Sequence, residues 1–174
     1  MHPEVDHFIK EVKAKYPDMF ENKNVLEVGS QDINGSVRPH FKFCTYTGID
    51  LGEAPGVDVV VDIVDFDIPN EFDVVISSEM LEHCRDWERA LSQMYRNLKP
   101  EGLLILTCAG PNRQEHGTDL HTPQDSKFTL DWYRNISMTD FLSVLPLSNF
   151  TDCSLALYRG EADLYFYGIK KASE

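Results

Sequence analysis

The chain has no apolar run approaching the roughly 20 residues that a membrane-spanning helix needs. Its first residues are polar and acidic, unlike a secretion signal. Cysteine is sparse: Cys44, Cys84, Cys108 and Cys153 are far apart and form no CxxC pair. Three of the four sit in or beside apolar runs, which predicts reduced core thiols and a cytoplasmic protein. Positive charge is also short. Sixteen Lys and Arg face 29 Asp and Glu, a formal net charge of −13, which disfavours a nucleic-acid partner. There is no internal repeat, low-complexity tract or linker. The 174 residues suit one domain with a core of its own, spanning 1–174.

The informative stretch runs from Val25 to Ser36. An apolar run, Val25-Leu26-Glu27-Val28, enters a turn at Gly29, and a second glycine, Gly35, follows. Gly29 would let backbone approach a ligand with no Cβ in the way, and Gly35 would open the next helix. About 20 residues on, Ile49-Asp50 ends a second apolar run, where nucleotide-type folds set a carboxylate against ribose hydroxyls. Asp50 as a helix N-cap is the competing reading.

Elsewhere the pattern alternates. Val5, Phe8, Ile9, Val12 and Tyr16 form an amphipathic stripe that stops before Pro17, giving an N-terminal helical segment within 1–20. Strand-like runs occupy Asn24–Val28, Thr45–Ile49, Val57–Val61, Phe72–Ser77 and Leu103–Thr107, mostly apolar throughout, as in sheets covered on both faces. A helix lies between the last two, capped by Asp86, striped by Trp87, Ala90, Leu91, Met94 and Leu98, and closed by Lys99-Pro100-Glu101-Gly102. Glu79 and Glu82 fall on a helical segment after the fourth strand, lining a pocket or facing solvent. Periodicity then vanishes over 109–136, which predicts a functional loop or lid. Ser137-Met138-Thr139-Asp140 reads as a capping box. Two β-rich runs, Thr151–Tyr158 and Asp163–Lys170, close the chain as a hairpin, so the last strand is antiparallel.

Five segments in order resemble the class I S-adenosylmethionine-dependent methyltransferases, in particular the small type 11 branch. They are Val25–Gly29, Tyr46–Asp50, Val61–Ile63, Phe72–His83 and Asn97–Leu106. The resemblance covers Asn24 to Lys170. It implies an α/β, doubly wound, seven-stranded and mostly parallel sheet with an antiparallel last strand. It departs from the family at Gln31, where a second glycine is usual, and at Glu101.

What the resemblance implies is an enzyme using S-adenosyl-L-methionine to methylate a small-molecule acceptor. Asp50 would accept from both ribose hydroxyls, with Leu51 beside it. Asp62 would bind the adenine amine, and the Ile63 amide would read the ring, with loop solvation by Asp62 the lesser alternative. Glu27, Gly29, Ser30, Gln31, Asn34 and Gly35 would wrap the methionine portion, and the backbone of Ser77 and Ser78 would complete that pocket. His83 is the candidate general base, or else a positioning histidine. Tyr133 would wall the acceptor and Arg134 would clamp an acidic group on it, or anchor a lid. Glu115, His116, Asp119 and His121 match no metal-ligand template, so no metal is expected. The N-terminal helix would pack over the cofactor entrance or simply cover the sheet. Two rivals remain: a nicotinamide dehydrogenase, against which the loose glycine turn argues, and a catalytically silent cofactor-binding or scaffolding module.

Overall fold

A computed structural model describes residues 2–172. Seven strands form one sheet in the order β3-β2-β1-β4-β5-β7-β6. They are β1 (Asn24–Val28), β2 (Thr45–Asp50), β3 (Val59–Val60), β4 (Phe72–Ser78), β5 (Leu98–Ala109), β6 (Phe150–Tyr158) and β7 (Asp163–Lys170). β1 to β5 pair in parallel, whereas β7 runs antiparallel to both β5 and β6. The order reverses between β1 and β4: the chain leaving β1 goes on to β2 and the chain leaving β4 to β5, on opposite sides, the place where open α/β sheets hold ligands.

Side chains along each strand alternate between two cores. Val25, Val74, Ile76, Leu103 and Ile105 point to the face covered by α1 (Pro3–Lys15), which buries Val5, Phe8, Ile9 and Val12. Leu26, Val75, Leu104 and Leu106 point to the other face. There they meet Trp87, Ala90, Leu91 and Met94 of α2 (Trp87–Asn97) and Phe141 of α3 (Met138–Val144). Burying one such apolar side chain contributes roughly 1.5–3 kcal/mol. The sheet is therefore pinned from both sides, with one helix on one face and two on the other.

Several sequence expectations change. No α-helix follows Gly35; only a 3-10 turn, Arg38–His40, lies between β1 and β2. No helix lies between β2 and β3 either, so Asp50 caps none. Another 3-10 turn, Ile63–Asp65, stands between β3 and β4, and β3 shrinks to two half-exposed valines. Leu98 leaves the helix and pairs with Phe72 as the first residue of β5. Pro100 disfavours helical backbone at Lys99, and Glu101 takes a left-handed φ of 62°. Asp86 sits at the N-cap of α2 without a side-chain cap bond, whereas Ser137 and Asp140 form the full capping box on α3. Glu79 is not helical: its φ is 54° and its amide donates to the Thr107 carbonyl.

Candidate functional site

A cavity of about 750 Å³ opens at the carboxyl ends of β1, β2 and β4. This is within the roughly 300–1,000 Å³ typical of small-molecule pockets. Glu27, Gly29, Ser30, Gln31, Asn34, Gly35, Asp50, Leu51, Asp62, Ile63, Ser78 and His83 all line it. The strand ends explain the convergence, since Val28 pairs with Ile49 on one side and Ser77 on the other.

Gly29 has a φ of 76°, and a Cβ there would meet Met80 Cγ at 2.6 Å. The turn can take this path only without a side chain. Its amide and that of Ser30 donate to the Ile49 carbonyl, which ties the loop to β2. Asp50 accepts from the backbone amides of Gln31 and Leu51, one on each oxygen, at 3.0 and 2.8 Å. A carboxylate oxygen has about two acceptor positions, so each keeps one for a ligand hydroxyl. Burial pushes the Asp50 carboxyl above the usual range, and the two amide bonds oppose that shift. Asp62 caps its 3-10 turn by accepting from the Val64 amide.

Glu27 is almost wholly buried, and burial pushes its pKa up to about 7. The Tyr46 hydroxyl donates to it at 2.9 Å, and Arg38 lies over the Tyr46 ring with 4.4 Å from Cζ to the centroid. Arg38 in turn holds Asp58 with both terminal nitrogens, and Asp58 accepts from the Gly48 amide. Through this relay β2 fixes the position of a carboxylate on β1. Sequence reading did not find Tyr46 or Arg38 as supports.

The other end of the cavity is built from the turn after β4 and the long loop. His83 is 6 % exposed, and burial with the neighbouring His116 lowers its pKa to about 4. At neutral pH it is an uncharged imidazole of reduced basicity, not a group titrating near neutrality. His83, His116 and Tyr133 pack edge to face, with centroids 5.0–5.5 Å apart. Glu79 and Glu82 stand beneath them, both driven upward in pKa by burial, and Glu82 also by Glu79. Arg113, which sequence reading passed over, lies 3.5 Å from Glu79 and pairs with Asp163.

Three expected residues lie outside the cavity lining. Ser77 is one residue deeper, and its buried hydroxyl donates to the Val28 carbonyl. Tyr133 stands behind the two histidines, and its hydroxyl donates to the Gln114 carbonyl. Arg134 points away, pairing with Asp140 at 2.9 Å and lying over Trp87. Its backbone amide, in contrast, donates to the Glu82 carbonyl and fastens the loop to the site. The loop crosses to the Asp50 end as well, where the Phe128 ring presses on Gly52. The stripe of α1 covers the sheet, and its N-cap residue His2 and its Val5 line the cavity.

A family model for the methyltransferase domain matches residues 1–151. The ubiquinone biosynthesis O-methyltransferase of Pseudomonas entomophila (strain L48) is 34% identical over 106 residues, covering 52% of this chain and 46% of that one. The chain thus spans about half the length of the curated relatives it matches. Among solved structures, phosphoethanolamine N-methyltransferase 2 of Haemonchus contortus, in complex with phosphomonomethylethanolamine and S-adenosylhomocysteine, superposes with a TM-score of 0.67 at 16% identity. That match covers 97% of this chain and 53% of the other. A putative S-adenosylmethionine-dependent methyltransferase from Listeria monocytogenes gives 0.65 at 20% identity, covering 93% and 96%. At such identities the structural matches speak for the fold alone. With the family match spanning most of its length, the chain belongs to the class I S-adenosylmethionine-dependent methyltransferases.

Proposed function

We propose that the protein transfers a methyl group from S-adenosyl-L-methionine to a small-molecule acceptor bound beside His83. One observation carries the reading: Glu27, Gly29, Asp50 and Asp62 line a single cavity that continues without interruption to His83 and His116. The residues fit the cofactor. Asp50 keeps acceptor positions for two ribose hydroxyls, Asp62 and Ile63 edge the adenine end, and Gly29 to Gly35 wrap the amino-acid end. Glu27 offers a carboxylate to the α-ammonium, and Ser78 closes that side.

The cofactor brings a methyl group already activated on sulfonium, so the protein's work is chiefly alignment and exclusion of water. The loop from Gly110 to Ile136 does the excluding, through Phe128 at one end and the His116–Tyr133 pair at the other. Arg134 anchors this loop rather than gripping the acceptor. His83, neutral at working pH, stands at the end of the cavity where the acceptor would lie.

Ligand-dependent melting tests the reading, because a ligand that binds only the native state raises Tm. S-adenosylhomocysteine should raise it and NADH should not. Asp50→Ala should abolish the S-adenosylhomocysteine shift, and should also lower the basal Tm because the Gln31 and Leu51 amides lose their acceptor. Stabilisation by NADH, or an undiminished shift in the Asp50 variant, would refute the assignment. A silent binding module is the second reading. The open space beside His83 speaks against it, since a scaffold has no need of an acceptor chamber.

A further inference from the structure

We propose that Glu82, His83 and His116 form a divalent-cation site at the floor of the acceptor chamber, with Glu79 at its side, and that the ion presents open positions to an oxygen of the acceptor. One ligand atom from each of the first three residues lies within 4.8 Å of the others. Donors about 2.0–2.2 Å from a shared ion stand roughly 3 Å apart when adjacent and about 4.4 Å when opposed, so side-chain adjustments of up to roughly 1–2 Å bring the three onto one ion.

The polar atoms are arranged as though awaiting a partner. Glu82 is fully buried, and neither of its carboxylate oxygens has a hydrogen-bond partner among the described residues. The same is true of both Glu79 oxygens and of His83 Nδ1. A buried carboxylate left bare is strongly disfavoured, and native structures that keep one usually give it a cation or protons to hold. The local charges leave room for a cation. Glu79, Glu82 and Asp163 set three carboxylates against two guanidinium groups, Arg113 and Arg159. Arg113 is occupied by Glu79 and Asp163, which leaves Glu82 without a neutralising partner of its own.

Two imidazoles and a carboxylate suit a borderline ion of the manganese, cobalt or zinc type better than calcium. Three protein ligands leave further coordination positions, and His83 and His116 both line the cavity while Glu82 lies below it, so those positions face the chamber. An acceptor hydroxyl bound there would surrender its proton to water near neutral pH, as metal-bound water does. This refines the proposed methyl transfer towards an oxygen acceptor and rests on that reading for its purpose. The ion site itself does not rest on it.

Mn²⁺ is the probe, added to metal-stripped protein and followed by electron paramagnetic resonance and water proton relaxation. One ion per chain with enhanced relaxation is the expected result, the enhancement reporting open, water-filled positions. Glu82→Gln and His116→Ala should each weaken Mn²⁺ binding at least tenfold. Glu82→Gln should leave the metal-free Tm unchanged or higher, which excludes misfolding as the cause. S-adenosylhomocysteine should still stabilise the stripped protein and both variants, so cofactor binding and ion binding are read separately. Absence of a stoichiometric Mn²⁺ site, or wild-type affinity in both variants, overturns the proposal.

Discussion

Glu27 supplies a stringent test because its environment converts directly into a pH dependence. Its carboxyl moves from 4.5 to about 7, with burial the largest cause; the Tyr46 hydroxyl and Arg38 oppose the shift, and Asp32 and Asp50 add to it. Between those values the native chain keeps a proton on Glu27 that the unfolded chain has lost. The native state then binds more protons, so unfolding free energy falls as pH rises through the window. At about 1.4 kcal/mol per unit, the loss is about 3 kcal/mol. For a chain of this size that corresponds to roughly 10 °C in Tm. Glu27→Gln keeps an acceptor for Tyr46 and cannot ionise. Wild type and variant should therefore match near pH 4.5 and diverge by pH 7.5, with the variant more stable, in denaturant unfolding without ligand. Other buried acids act equally on both proteins and cancel in the difference. Binding of S-adenosylhomocysteine at pH 6 should release close to one proton in the wild type and none in the variant, seen by calorimetry in two buffers. Parallel stability curves across the window would refute the argument.

Three further substitutions separate site from scaffold. Gly29→Ala should cost at least 1–2 kcal/mol, roughly, because it combines a left-handed φ with a Cβ against Met80, and thermal melting should register it. Arg134→Ala removes a half-exposed pair with Asp140 and a contact with Trp87; it should lower stability by up to about 1 kcal/mol and leave S-adenosylhomocysteine affinity unchanged by calorimetry. Gly52→Ala should displace the Phe128 ring, an exposed and movable group, and so speed release of S-adenosylhomocysteine in stopped flow while barely moving Tm.

Much of the cofactor end was legible in the sequence because strand endings are local signals. An apolar run that stops at Gly29 or at Asp50 announces both a strand and the residue it delivers. The antiparallel close followed from the two β-rich runs that end the chain, and the seven-stranded sheet from the family resemblance. The connections were less legible. Gly35 and Pro39 break any helix after β1, yet the spacing alone suggested one. Leu98 fits a helical stripe until pairing with Phe72 claims it for β5. The acceptor end depends on contacts between distant segments. Neither spacing nor composition brings His116 to His83, or Arg113 to Asp163; the folding of the loop does. The reading of Glu115 to His121 for metal ligands stayed inside one segment, whereas the side-chain cluster with Glu82 and His83 draws His116 alone from it. For Arg134 the sequence leaves clamp and lid anchor open, and its pairing with the nearby capping-box residue Asp140 matches the anchor.

The contact of His2 with Arg113, at 3.2 Å, has a practical corollary. Because His2 and Val5 reach the cavity rim, an affinity tag fused ahead of α1 would start at the ligand entrance and could obstruct loading. β7, by contrast, begins at that end with Asp163 and carries the chain to the opposite side, where Lys170 meets the Leu98 carbonyl. Purification handles and immobilisation for binding assays belong on that trailing end.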